Sequence, residues 1–173
     1  VFIHRYRDID PTIRQECLKH LGEWMIIYPE HFFQSSQLRY FGWLLSDSSS
    51  QVRNEVVKVL LKLYRNITSS AANNYSLGVG FRQFTERFKR QMINMSVKDQ
   101  DANLRVNLMS CLVELQKIGF LDELEIIDIS LQFFFILENR NSTESNIKSK
   151  ANEDKLKLEL AKFISIANID SYK

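Results

Sequence analysis

Three segments of the chain repeat one spacing that could do chemistry. Each has an aspartate, five residues, then an arginine that follows an apolar residue: "DIDPTIR" (Asp8 to Arg14), "DSSSQVR" (Asp47 to Arg53) and "DQDANLR" (Asp99 to Arg105). An acid and a guanidinium could form part of a catalytic centre or a structural ion pair. A pair made along one helix face uses three or four residues, not six. Three copies of one motif point to architecture and not to a single active centre. The other reactive side chains are scattered. His4, His20 and His31 do not form His-Glu-x-x-His, and no acid or cysteine joins them at metal-ligand spacing. A glycine-rich phosphate loop and a Gly-x-Ser-x-Gly elbow are both absent from the sequence. The expectation is therefore no enzyme, no metal and no cofactor. Cys17 and Cys111 are expected as buried, reduced thiols.

The elements that must carry these residues follow from composition and period. The chain has 173 residues, is 45% hydrophobic, and contains 5 Gly and 2 Pro. Long runs of Leu, Lys, Glu, Gln and Asn between so few breakers predict an all-α protein. Apolar residues recur with helical period after each motif. They are Cys17, Leu18, Leu21, Trp24 and Met25; then Val56, Val57, Leu60 and Leu63; then Leu108, Met109, Leu112 and Leu115. Helical segments also precede Asp47 and Asp99. The unit is a helix, a short turn holding the aspartate, and a second helix with the arginine near its start. This resembles the HEAT repeat, a helix pair of roughly 40 to 47 residues. The expected fold is a helical solenoid of about four antiparallel pairs, a fragment of a longer curved array. In it the aspartate accepts hydrogen bonds from free amides at the second helix's N-terminus. The arginine reaches the aspartate of its own or a neighbouring repeat. Asp8, Arg14, Asp47, Arg53, Asp99 and Arg105 are thus read as staples between repeats.

The repeats divide the chain. The first two motifs lie 39 residues apart (8 to 47) and the next two 52 apart (47 to 99). The excess is the Ser- and Asn-rich stretch 65–80, read as a loop insertion. Residues 1–93 form one region that contains this insertion, 94–121 the third repeat, and 122–173 a divergent fourth pair with a polar loop at 138–154. The apolar run "LQFFFIL" (131–137) is too short to span a bilayer and is read as a buried helix. The chain starts with Val and shows no signal peptide, so it reads as an excised piece of a larger protein.

Two surfaces stand out. "HRYR" (4–7) and "LRYFGW" (38–43) combine aromatic and basic residues. On a helix over about 36–46, Leu38, Phe41 and Leu45 form the core stripe, with Arg39 and Trp43 as a flanking i, i+4 pair beside Tyr40. Such residues are either flank packing or an exposed pocket for a partner's aromatic side chains, since Trp, Tyr and Arg dominate binding hot spots. The second surface is basic: Lys58, Lys62 and Arg65 on one helix, then Lys148, Lys150, Lys155, Lys157 and Lys162. It is either a solvated face or a phosphate-contacting track. The net charge of +2 does not by itself imply nucleic-acid binding.

The words "HRYRD", "IR", "GEWM", "YFGW", "D", "VR" and "LxxLY", in this order over positions 1–64, resemble the stromalin conservative domain of the SA/stromalin subunit of cohesin. A weaker match follows at "FTERFKRQMI" (84–93). The polar, Asn-rich insertions have a fungal look. The resemblance implies a HEAT-repeat scaffold in the nucleus, on chromosomes, that acts in sister-chromatid cohesion. It implies as partners the kleisin subunit, double-stranded DNA, and regulators such as shugoshin and Wapl. No membrane and no small-molecule substrate are implied. The residues matching its peptide-docking pocket are Tyr6, Arg39, Tyr40, Trp43 and Arg87, although Ser35 stands where many animal relatives have Asp. Its DNA-binding activity directs attention first to Lys58, Lys148 and Lys155, then to Lys62, Lys150 and Lys157. The alternative is a HEAT adaptor or transport-receptor-like scaffold without DNA binding. That reading wants acidic or Asn/Trp arrays on the inner helices, where this chain carries lysine.

Overall fold

The computed structural model describes residues 2–69, 75–140 and 147–170, and every regular element among them is a helix. In order they are α1 (Phe2–Arg5), α2 (Pro11–Ile27), α3 (Pro29–Phe32), α4 (Ser35–Leu44), α5 (Ser50–Ser69), α6 (Tyr75–Lys98), α7 (Ala102–Ile118), α8 (Glu123–Arg140) and α9 (Ile147–Asp170). The chain forms two compact units, Val1–Lys89 and Arg90–Lys173, with the division inside α6. Helix, aspartate turn and arginine-bearing helix follow one another at α4–α5 and at α6–α7, as the spacing predicts.

In the first unit, α2 starts where its sequence says it should. Asp10 is extended and its carboxylate accepts from the Thr12 amide at 2.8 Å, with Pro11 in the first turn. Helix α2 packs against α5. Leu18, Leu21 and Met25 are buried on the one, and Val52, Val56, Val57, Leu60 and Leu63 on the other. Leu38 and Phe41 on α4, with Leu45 at its C-terminal cap, form the buried stripe. Phe81, at the inner face of α6, packs on Tyr64 at 4.4 Å and on Phe33 at 5.2 Å. The Thr85 hydroxyl donates to the Phe81 carbonyl at 2.8 Å, so the buried Tyr64 hydroxyl donates to Thr85, 2.9 Å away.

In the second unit, α7 is the central helix. It is buried on nearly all sides, from Leu104 to Gln116. Asp101 caps its start by accepting from the Asn103 and Leu104 amides. Helix α9 packs on it through a stripe of Leu156, Leu160 and Phe163.

Three expectations change. The stretch 65–80 is not one long loop: α5 continues to Ser69 and α6 begins at Tyr75. The Thr68 and Ser69 hydroxyls donate to the carbonyls of Tyr64 and Asn66, so these polar residues are satisfied within helical geometry. The stretch 138–154 is likewise helical at both ends, where α8 runs to Arg140 and α9 starts at Ile147. The run 131–137 is not a fully buried helix: Phe133 is buried, but Leu131, Phe134 and Phe135 are each more than half exposed. Among the described residues no helix is long and apolar enough to cross a membrane.

Candidate functional site

The aspartate–arginine motif resolves into a repeated local geometry. In each copy the carboxylate accepts the amide two residues on. These bonds run from the Asp10 amide to Asp8 at 3.1 Å, Ser49 to Asp47 at 2.8 Å, and Asp101 to Asp99 at 2.9 Å. The aspartate thus closes an Asx turn that ends on the residue before the helix. This bond lies in the turn, one residue before the helix, and not on the helix's first amides as the spacing had suggested. Bonding those amides falls to Asp10 and Asp101, two residues later. The arginine sits four residues beyond, and its own amide donates to the carbonyl of that residue in all three copies.

The guanidinium of Arg14 joins two turns. Its Nη1 donates to the carbonyls of Asp8 and Ile9 at 2.7 and 3.1 Å. Its Nε and Nη2 donate to both oxygens of Asp47, in the next repeat, at 2.8 and 2.7 Å. The hydrogen bond to Asp47 holds the Arg14 proton more tightly than usual. Arg53 repeats the first half, donating to the carbonyls of Asp47 and Ser48. Buried Arg105 donates from Nε to the Ser96 carbonyl at 3.1 Å. Asp8 bonds Arg5 at 2.6 Å, and that bond, followed by the Asp10 amide, holds its carboxyl below the usual range.

The two cysteines are free thiols. Cys111 is buried, but Cys17 is only partly so, on the wall of an apolar groove with Ile13 and Trp24. The side of α2 that carries Cys17 and Trp24 is therefore less covered than its period predicts. Burial pushes the Cys17 thiol up, away from nucleophilic use.

Four of the five sequence-selected docking residues have ring contacts in one cluster. Tyr6 lies 4.6 Å from Tyr40 and stacks on Trp43 at 5.9 Å, while Tyr40 meets Trp43 edge-on at 5.6 Å. The Arg39 guanidinium lies 5.4 Å from the Tyr40 ring and 5.5 Å from Trp43. Tyr6 and Tyr40 are buried, but Trp43 remains 45% exposed. The cluster is therefore a packed base with one open indole. The fifth residue, Arg87, lies in an adjoining groove of about 200 Å³, lined with Arg39, Ser35, Leu38, Phe84 and Phe88. Arg7 is the residue that the sequence reading passed over. Its guanidinium lies 5.1 Å from the Tyr6 ring and 5.5 Å from Trp43. Its only signal is its place in "HRYR".

The lysines separate into distinct groups. Lys58, Lys62 and Arg65 are exposed along one side of α5. Lys58 lies 3.4 Å from buried Glu55, which tempers its charge. On α9, Lys150, Lys155 and Lys157 are exposed, and Lys157 pairs with Glu153 at 2.9 Å. At 3.6 residues per turn, Lys150 and Lys157 share one flank of the buried stripe, and Lys155 and Lys162 share the other. They do not form a single row. The side chain of Lys148 lies outside the described residues.

Comparison with known proteins gives consistent matches. Residues 7–89 match the stromalin conservative domain. Cohesin subunit SCC3 of Saccharomyces cerevisiae is 39% identical over 134 residues, which cover 77% of this chain and 11% of that protein. Cohesin subunit psc3 of Schizosaccharomyces pombe is 42% identical over 129 residues, covering 75% of this chain and 13% of that protein. Sister-chromatid cohesion protein 3 of Arabidopsis thaliana is 42% identical over 96 residues, covering 56% of this chain and 8% of that protein. Animal cohesin subunits match as well, so the likeness does not single out fungi. Among solved structures, cohesin subunit Scc3 from Z. rouxii aligns over 99% of this chain and 17% of that one, with 34% identity and a TM-score of 0.78. The chain thus spans about a tenth of the length of the curated relatives it matches most strongly.

Proposed function

The chain belongs to the stromalin family of cohesin subunits, and on that premise we propose that it docks aromatic segments of regulatory proteins during sister-chromatid cohesion. The family is structural and regulatory, not enzymatic. The observation that carries the docking reading is the open Trp43 indole on a packed aromatic base, with Arg7 and Arg39 against it. An indole held by its neighbours loses little freedom when a partner ring stacks on it. The guanidinium groups of Arg7, Arg39 and Arg87 favour acidic residues beside that ring. Regulators of the shugoshin and Wapl kind fit as partners. The protein works on chromosomes in the nucleus, bound to the kleisin. A direct test is the binding of a labelled peptide, with two phenylalanines between glutamates, to the full-length subunit bound to its kleisin segment. Trp43→Ala should weaken binding by roughly thirtyfold, the scale of a hot-spot residue. Lys58→Glu should leave it unchanged. Equal binding by wild type and Trp43→Ala would remove this function from the patch.

The exposed stripe of Lys58, Lys62 and Arg65 favours a second, compatible reading: contact with double-stranded DNA, shared with the kleisin and with Lys148, Lys150, Lys155 and Lys157. Its chemistry separates it from peptide docking, because phosphate contacts weaken steeply with salt.

A further inference from the structure

The glycine of "YFGW" has no part in the roles described so far. Gly42 lies on α4 beside Trp43 and one turn after Arg39. A β-carbon at position 42 would stand 2.1 Å from Cζ of Phe88 and within 2.7 Å of both its Cε atoms. Ordinary contact begins at 3.4 Å, so the ring would have to retreat by more than an ångström. Phe88 therefore seats its edge on bare helix backbone. It also packs on Phe84 at 4.9 Å, lines the groove that holds Arg39, and carries the Arg87 guanidinium 5.5 Å from its ring. Cation–π contact with a phenyl face gives that guanidinium a preferred seat.

We propose that Gly42 and Phe88 are positioning residues of the docking site. The absent side chain at 42 admits the Phe88 ring, and the ring holds Arg87 in the groove it shares with Arg39. The groove then presents two cations, to an acidic residue flanking the docked aromatic. This inference rests on the docking reading above. It differs from the role of Gly22, whose missing β-carbon makes room for Val59 in the core between α2 and α5. That close approach serves packing, not the groove.

The test uses the full-length subunit bound to its kleisin segment and two labelled peptides: phenylalanines flanked by glutamate, and the same peptide with glutamine in place of glutamate. Gly42→Ala should weaken the glutamate peptide about tenfold, the scale of one interfacial charge contact. It should leave the glutamine peptide nearly unchanged. Gly42→Ala combined with Arg87→Ala should bind no worse than Arg87→Ala alone, because both act through one group. Phe88→Leu removes the ring without adding an atom to α4, and should give the same loss if Gly42→Ala does not fold. Gly22→Ala should lower thermal stability and treat the two peptides alike. Wild-type affinity for the glutamate peptide in Gly42→Ala or Phe88→Leu, with Trp43→Ala still impaired, would overturn the positioning role and leave docking intact. Failure of the wild type to bind either peptide would overturn docking, and this inference with it.

Discussion

In each Asp-x5-Arg segment the aspartate closes an Asx turn, the helix starts three residues later, and the arginine sits one turn in. Six residues is the separation that lets the guanidinium fold back over that turn. Arg14 takes the Asp8 and Ile9 carbonyls with one nitrogen and the Asp47 carboxylate with the other two. This pair is largely buried, with side-chain exposures of 12% for Arg14 and 8% for Asp47. Removing one partner of such a pair strands the other, at a cost of about 3 kcal/mol. Arg14→Ala should therefore lower the opening free energy of the α2 and α5 amides by that amount in native-state hydrogen exchange. Arg14→Lys should recover only part of it, because an ammonium cannot reproduce the planar fork. Asp47→Asn keeps an acceptor for the Ser49 amide and should cost less than Arg14→Ala. An equal or larger cost for Asp47→Asn would mean that the charge of the bridge, and not the turn bond that asparagine keeps, holds the repeats. Spacing alone suggested that Asp and Arg form staples, and Arg14 and Asp47 do pair between neighbouring turns. Spacing left open whether Arg14 would use its own or the next repeat's carboxylate, because that depends on how neighbouring turns meet. Arg7 was hidden for a related reason: its contact with Trp43 on α4 joins residues far apart in the chain.

At the scale of elements, helix ends divide into those written locally and those set by packing. Asp10 before Pro11, and Asp101 before Ala102, are local start signals, and both helices begin there. The end of α7 is also local. Gly119 has φ 76° and ψ 33°, its amide donates to Gln116, and the Phe120 amide donates to Leu115. These two bonds make a Schellman end, and the buried Phe120 and Leu115 supply its apolar contact. Nothing lies within 4 Å of a β-carbon at 119. Gly119→Ala therefore isolates the cost of left-handed backbone, about 1 kcal/mol. It should appear as faster exchange at the C-terminal turn of α7 with the rest of the second unit unchanged. By contrast, the ends of α5 and α6 were not legible. Ser, Asn and Gly around 65–80 look like loop composition, yet Thr68 and Ser69 bond back into their own helix and Phe81 packs on Tyr64. Long-range packing overrode a local signal there. The stripe of Leu38 and Phe41 on α4, with Leu45 at its cap, was legible because a periodic apolar face has one satisfactory place to go.

For the whole molecule, the distribution of cations matters more than their number. A net charge of +2 cannot hold a polyanion by itself, and several lysines are tempered by nearby acids. What DNA would meet is a set of separate strips: Lys58, Lys62 and Arg65 on α5, and two opposite flanks of α9. Each phosphate contact releases counterions and adds about 0.9 to the slope of log affinity against log salt. The full-length subunit with its kleisin segment should therefore bind duplex DNA with a steep slope. A Lys58, Lys148 and Lys155 to Glu variant should bind more weakly at low salt, with a slope shallower by about 2 to 3 if all three touch phosphate. Its helical spectrum should not change. Because Lys150 and Lys157 lie on the flank of α9 opposite Lys155, exchanging that pair separates the two sides of the helix. If only Lys155→Glu flattens the slope, DNA lies along its side of α9. If only the pair does, it lies along the other. If neither the triple variant nor the exchanged pair changes affinity or slope, the phosphate track runs outside this segment, and the aromatic face around Trp43 is the surface through which it acts.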